Sequence, residues 1–232
     1  MRQIVLDTET TGIGHAQGHR IIEIGCVELI DRKLTGKHFQ TYLNPQREVE
    51  EGAFRVHGIS SEFLQDKPLF KDVLHDLLQF IEGSELIIHN APFDVGFLNA
   101  ELTHAKWPKS LRDYCRVFDT LVLAKEKHPG QRNNLDALCK RYEIDNANRQ
   151  LHGALLDAEI LASVYLAMTG GQASLFVDDN LSVKNAKKLE QQSSACLQSN
   201  SPILSASLDE VARHDEFIEF IVKKSGVNYW TF

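Results

Sequence analysis

Ile4-Val5-Leu6-Asp7-Thr8-Glu9-Thr10-Thr11-Gly12 is a short apolar run that leads directly into two carboxylates spaced one residue apart. A run of this length and composition predicts a buried strand. Side chains alternate across a strand, so Asp7 and Glu9 share one side with Thr8 opposite, and at about 3.3 Å per residue their Cα atoms lie roughly 6.6 Å apart. Two anions held that close repel each other, and two metal ions about 3.5–4 Å apart would remove the repulsion and make use of it. An Asp-x-Glu standing alone also reads as an ordinary strand end with solvated acids, and only its context separates the two readings.

A length of 232 residues suits one good-sized core with an appendage better than two full domains. With 43% hydrophobic and 25% charged residues, the composition is that of an ordinary soluble globular protein and excludes classes rather than naming a function. No apolar run approaches the roughly 20 residues of a membrane span, and Met1-Arg2-Gln3 does not open a signal peptide. The expected location is therefore cytoplasmic, with no membrane partner. Cys26, Cys115, Cys139 and Cys196 are far apart and include no Cys-x-x-Cys, which argues against a zinc site or a disulfide framework and for reduced thiols. The formal net charge of −7 disfavours phosphate binding. Divalent ions held by clustered acids would reverse the local sign where a phosphate must sit, and weak unaided binding to DNA would call for a partner that holds the substrate.

Residues 21–30 are partly alternating and rich in β-branched side chains, a second strand; Asp31-Arg32-Lys33 turns the chain, and residues 38–43 alternate up to Asn44-Pro45 as a third. An antiparallel meander is predicted. Asp66-Lys67-Pro68 starts a helix with the proline near its first turn, and Phe70, Val73, Leu74, Leu77, Leu78 and Ile81 recur at helical spacing up to Gly83. Leu86-Ile87-Ile88 reads as a strand running through His89-Asn90-Ala91-Pro92 into a helix with Asp94 near its start, where a first-turn capping role is the structural alternative. Val117-Phe118 with a helix over about 119–127 repeats the unit, and 134–142 is a further helix. The longest helix spans about 153–168, with an apolar stripe of Ala154, Leu155, Ala158, Leu161, Ala162, Tyr165 and Leu166. His152 and Asp157 flank its first turns. On one continuous helix residues five apart point about 140° away from each other, so the two share a site only if His152 belongs to the preceding loop, where Gly153 gives freedom.

Past Gly171 the chain becomes polar and rich in Gln, Ser, Asn and Lys over residues 178–201, which predicts a flexible linker. Order returns at Ser207, where Ser207-x-x-Glu210 fits a capping box and Leu208, Val211, Ile218, Ile221 and Val222 lie on one helical face before Gly226. Tyr229-Trp230-Thr231-Phe232 is an aromatic end. The organisation expected is a folded domain over 1–171, a linker over 172–202 and a tail over 203–232.

Four acids and one histidine stand out: Asp7, Glu9, Asp94, Asp157 and His152. Together with Val56-His57-Gly58-Ile59, His89-Asn90-Ala91-Pro92-Phe93-Asp94, Asn134-Leu135-Asp136-Ala137-Leu138-Cys139 and Leu151-His152-Gly153-Ala154-Leu155-Leu156-Asp157-Ala158, they carry a resemblance over nearly all of residues 1–171. The chain resembles the DEDD-type 3′–5′ exonucleases of the histidine subclass, and among them the proofreading subunits of bacterial DNA polymerase III. No metal-site position departs from the family pattern, and the tail looks like that of the same subunits.

The resemblance implies an α/β, RNase H-like exonuclease fold with a mixed central sheet and flanking helices, and removal of nucleotides from a DNA 3′ end as 5′-monophosphates. It implies two ions, Mg²⁺ or Mn²⁺ by the oxygen donors: one held by Asp7, Glu9 and Asp157 beside the attacking water, the other by Asp7 and, partly through water, Asp94 beside the leaving 3′ oxygen. His152 is the candidate general base, since an imidazole changes protonation state close to neutral pH. His57 matches a stretch that lines the pocket of the terminal nucleotide, so the expected substrate contacts are Asp7, Glu9, His57 and Asp157; a loop histidine that only bonds the backbone is the alternative. His89 and Asn90 either touch substrate or shape their loop. The tail is expected to dock on the DNA polymerase III alpha subunit. Gln172-Ala173-Ser174-Leu175-Phe176 looks like a short sliding-clamp-binding peptide, with Gln172, Leu175 and Phe176 as contacts, unless Leu175 and Phe176 fold back onto the long helix. The resemblance also leaves room for a small accessory subunit. Two rival functions stay open: a 3′ to 5′ exoribonuclease with the same metal site, and a non-catalytic replisome adaptor with a vestigial one.

Overall fold

The structure is a computed structural model that describes residues 1–147, 151–170 and 207–225. β1 (Arg2–Thr10), β2 (Ile21–Ile30) and β3 (Lys33–Tyr42) form the antiparallel meander that the alternation predicts. β4 (Glu85–Ile88) pairs parallel to β1, and β5 (Arg116–Asp119) pairs parallel to β4, so one mixed sheet has the order β3-β2-β1-β4-β5. β1 is its central strand, and the carboxyl ends of β1, β4 and β5 open on the same edge of the sheet, where ligands of open α/β sheets bind.

The third strand begins earlier than the alternation suggests, at Lys33 rather than His38. Asp31 and Arg32 alone make the turn, both with positive φ (49° and 65°), the backbone of a two-residue primed hairpin. Residues 33–38 form an exposed sheet edge with no buried row to betray them. The Arg32 guanidinium then ties the hairpin to the end of the longest helix, donating to Leu166 O at 2.9 Å and Thr169 Oγ1 at 2.8 Å.

The helices are α1 (Glu51–His57), α2 (Ser61–Leu64), α3 (Phe70–Ile81), α4 (Ala91–His104), α5 (Thr120–Lys127), α6 (Leu135–Arg141), α7 (Ala154–Thr169) and α8 (Leu208–Ser225). Pro68 lies before the first turn of α3 rather than in it, and the Asp72 carboxylate accepts from the Leu69 N–H at 3.0 Å to cap that helix. α1 and α2 are additions to the sequence reading. Their short, mostly exposed faces carry no apolar stripe, so His57 is the last residue of a helix ended by left-handed Gly58 (φ 72°), not a loop histidine.

Alternation along β1 divides the core. Ile4 and Leu6 pack with Leu74, Leu77, Leu78 and Ile81 of α3 and Phe97 and Leu98 of α4, whereas Val5 packs with Ala158, Leu161, Ala162 and Tyr165 of α7. α7 is covered on its other side as well, where Ile160, Val164 and Met168 meet Ala124, Leu138 and Cys139. Cys26, Cys115 and Cys139 are buried and unbridged, as expected of reduced thiols, and Cys196 lies outside the described residues.

Ala173 and Ser174 mark the border between two units of the chain. In the second unit, α8 opens on the capping box expected of it: the Ser207 N–H and hydroxyl donate to Glu210 Oε2 (2.8 and 2.9 Å), and the Glu210 N–H donates to Ser207 Oγ at 3.3 Å. Val211, Phe217 and Phe220 on α8 are exposed. The clamp-like residues Gln172, Leu175 and Phe176 and the aromatic end fall outside the described residues.

Candidate active site

Asp7 and Glu9 continue on β1 the row begun by Val5, which faces α7, and Thr8 continues the row of Ile4 and Leu6, which faces α3 and α4. The ladder to β2 shifts register between Glu9 and Thr10, an irregularity that re-aims the strand end. Asp157 reaches the acid pair from α7, on the same face. A close backbone approach allows this: a Cβ on Gly25, the register partner of Asp7, would stand 2.2 Å from Ala154 C and Leu155 N. Glycine at that point of β2 lets the start of α7 sit against the sheet.

Asp94 arrives from the opposite face, in the first turn of α4, and the Thr8 hydroxyl donates to its Oδ1 at 2.7 Å. Thr8, which the alternation sets apart from the acids, therefore holds the fourth carboxylate at the strand end. The loop before α4 is fixed from β5. Asn90 has a left-handed φ of 66°, its N–H donates to Asp119 Oδ1 at 3.2 Å, and the same oxygen caps α5 through the Leu121 N–H at 2.8 Å. His89 Nδ1 lies 2.9 Å from Thr120 Oγ1, and burial lowers its pKa. His89 thus shapes this loop while it also edges the cleft.

His152 lies in the loop before α7, as the helix geometry requires. Its N–H donates to the Val56 carbonyl at 3.1 Å, which ties the loop to α1. Its Nδ1 is 3.4 Å from Asp157 Oδ2, with the imidazole 43% exposed and the carboxylate 4%. Ligand atoms of Glu9, His152 and Asp157 lie within 4.8 Å of one another. Asp7, Thr8 and Asp94 complete the wall of a cleft of about 260 Å³, to which Asn134 and Asp136 also contribute. A second cavity of about 430 Å³ adjoins it across Thr8, Glu9 and Phe93, lined further by Ile13, Ala53, Val56 and His57.

His57 is 5% exposed, and its Nδ1 accepts from the Ile59 N–H at 2.9 Å. Burial, opposed by the Thr10 carbonyl and helped by nearby His152, holds its pKa below the ordinary histidine value. Its Nε2 is buried on the side of the Thr10 backbone.

The donor set fits a divalent cation. Glu9, Asp94 and Asp157 are only 8, 3 and 3% exposed and meet Asp7 in a cleft whose described lining includes no lysine or arginine. Burial, only partly offset by the Thr8 hydroxyl, pushes Asp94 up to about 7. A cation in the cleft is what would let such an acid ionise fully at neutral pH.

Carboxylates converging from a strand and two helices on the edge of a mixed sheet, with a histidine beside them, define a metal-dependent nuclease of the RNase H-like fold. The family model described as Exonuclease matches residues 4–165. The DNA polymerase III epsilon subunits of Salmonella typhimurium and Escherichia coli are 50% and 48% identical to this chain, over 99% of it and 97% of each of them. The chain belongs to the exonuclease family and, within it, to the DNA polymerase III epsilon subunits. Among solved structures, exonuclease X in complex with 5′-overhanging duplex DNA superposes with a TM-score of 0.56 at 26% identity, over 74% of this chain and 95% of that one. The zinc-bound complex of E. coli exonuclease I with single-stranded DNA shares the fold, with a TM-score of 0.60 at 18% identity over 74% of this chain and 41% of that one.

Thr8 and Gly25 are the site residues that sequence reasoning missed. Nothing local announces Thr8, because the face on which α4 packs is not written in β1. Gly25 did leave a signal: a glycine inside a strand rich in β-branched residues marks a close approach of another backbone.

Proposed function

We propose that the chain removes nucleotides from a DNA 3′ end as 5′-monophosphates and so proofreads, in the cytoplasm, for the replicative DNA polymerase III. The observation that carries this reading is the meeting of Glu9, Asp157 and His152 within 4.8 Å, in one cleft with Asp7 and Asp94. Asp7, Glu9 and Asp157 would hold one divalent ion and Asp7 with Asp94 a second, Mg²⁺ or Mn²⁺ by their oxygen ligands. When bound, such ions neutralise the scissile phosphate, make a water more acidic and stabilise the leaving 3′ oxygen. His152 takes the proton of the attacking water. Its Nδ1 lies toward the Asp157 carboxylate, which orients the ring, and the half-exposed imidazole can pass the proton on to solvent. His57 lines the cavity beside the acids, where the terminal nucleotide would sit. A single unpaired strand suits the site, and fraying of a mispaired end delivers one.

The test uses DNA labelled near its 5′ end, as a single strand and as a mismatched duplex, together with RNA, with and without Mg²⁺. Both DNA substrates should shorten from the 3′ end only with the ion, the single strand faster than a fully paired control. Preference for RNA would favour an RNA-trimming enzyme, and no cleavage of any substrate an adaptor.

The tail, residues 203–232, docks on the polymerase alpha subunit in this reading, and Gln172, Leu175 and Phe176 engage the sliding clamp. Exposed Val211, Phe217 and Phe220 on α8 support the first contact, and the Leu-Phe pair within a polar stretch supports the second. A linker of some thirty residues gives a tethered nuclease the slack to reach a frayed end and raises the effective concentration of a weak peptide. An accessory subunit would bind the nuclease domain. A chain ending near residue 171 should keep cleavage of short single strands and lose co-purification with both alpha subunit and clamp. Retention of the alpha subunit by that chain would refute the tail as its docking element.

A further inference from the structure

Glu23 is 1% exposed, on β2, and has no part in the site as described above. It is the register partner of Glu9 on β1 and of Tyr42 on β3, and its side chain lies on the α7 side of the sheet. Oε2 accepts from the Ala154 N–H at 3.1 Å, and Oε1 from Gln40 Nε2 at 2.8 Å. Ala154 is the first residue of α7, and its N–H is among those that a helix cannot satisfy internally. The N-cap residue, Gly153, has no side chain to do so. Glu23 is therefore a cap supplied from a strand, and a carboxylate there also gains from the positive end of the helix. Two residues further on, Gly25 admits the backbone of Ala154 and Leu155. Like charges facing each other across a ladder repel, so a buried Glu23 opposite Glu9 is costly and rests on these donors.

We propose that Glu23 is a positioning residue of the metal site: through the Ala154 N–H it sets the start of α7, and with it Asp157 and His152, at a fixed distance from Glu9. Asp157 is three residues beyond the bonded amide and His152 two before it, while Glu9 is paired with Glu23 itself. One side chain thus refers both walls of the cleft to a single point of β2. The inference rests on the metal-site reading above. A cap that served stability alone would alter melting and leave metal affinity unchanged in the folded protein.

The experiment measures Mn²⁺ binding to the full-length chain without substrate, by the paramagnetic resonance signal of the free ion, for the parent and for Glu23→Gln, Glu23→Asp and Glu23→Ala. Circular dichroism establishes which variants are folded. Glutamine keeps an acceptor at the same reach and should bind Mn²⁺ close to the parent. Aspartate keeps the charge but falls short of Ala154; it and alanine should weaken binding about 10- to 100-fold, the usual cost of losing a group that orients a ligand. Cleavage by these two should recover at high Mn²⁺. If alanine fails to fold, aspartate against glutamine decides. Parental affinity in folded Glu23→Asp or Glu23→Ala, an equal loss in Glu23→Gln, or failure of all three to fold would overturn the proposal. A parent that binds no Mn²⁺ would overturn the site reading itself, and the inference with it.

Discussion

Asp7→Ala should abolish cleavage of single-stranded DNA at every Mg²⁺ and Mn²⁺ concentration while leaving the fold intact. Asp7 lies near the end of the central strand and lines the cleft with Asp157 and Asp94, and in the proposed reading it is the acid that serves both ions. In that reading its removal takes a ligand from each ion, while Asp94 stays held by Thr8 and Asp157 by the first turn of α7. The loss acts on chemistry rather than folding: Asp7 is only partly buried, and its β1–β2 pairing uses backbone groups. Circular dichroism of the variant should match the parent, and Mn²⁺ binding should fall with activity. Ion-dependent turnover in the variant near the parental rate would show that the shared ligand is elsewhere.

His152→Ala should lower turnover by about 10²–10⁴-fold at neutral pH, the worth of a general base, with metal binding largely retained. The second half of that expectation discriminates, because the Glu9, His152 and Asp157 atoms are close enough together for the imidazole to act as a ligand instead. A base and a ligand differ in two measurements. Loss of a base lowers turnover at every metal concentration and leaves the Mn²⁺ affinity unchanged; loss of a ligand weakens Mn²⁺ binding and leaves activity recoverable at high metal. Full activity at neutral pH in the variant would remove His152 from the chemistry altogether. Partial exposure and the contact with the Asp157 carboxylate favour the base.

Much of the architecture was legible because its residues repeat with the period of their element. The apolar runs of β1 and β2 announce buried strands and the apolar face of α3 its buried side, and the structure follows them, while α7 is buried beyond its predicted stripe, at Ile160, Val164 and Met168 as well. α1 was not legible: its seven residues expose most of their side chains, so the period of a helix leaves no mark, and His57 reads as a loop residue. The start of β3 was hidden for the same reason, on an exposed sheet edge.

The site divides in the same way. The family resemblance singled out the acids and the histidine, and the sequence by itself determined that Asp7 and Glu9 share a face and that His152 can approach Asp157 only from outside the helix. The last two follow from local geometry, the two-residue period of a strand and the 100° step of a helix. Only the tertiary structure decided that Asp94 crosses from the other face to the Thr8 hydroxyl, that α7 begins against Gly25 and Glu23, and that the His152 loop hangs from Val56. These contacts join residues from 86 to 131 positions apart in the chain. No local pattern records them, because they are set by which surfaces pack when the two faces of the sheet are covered at once.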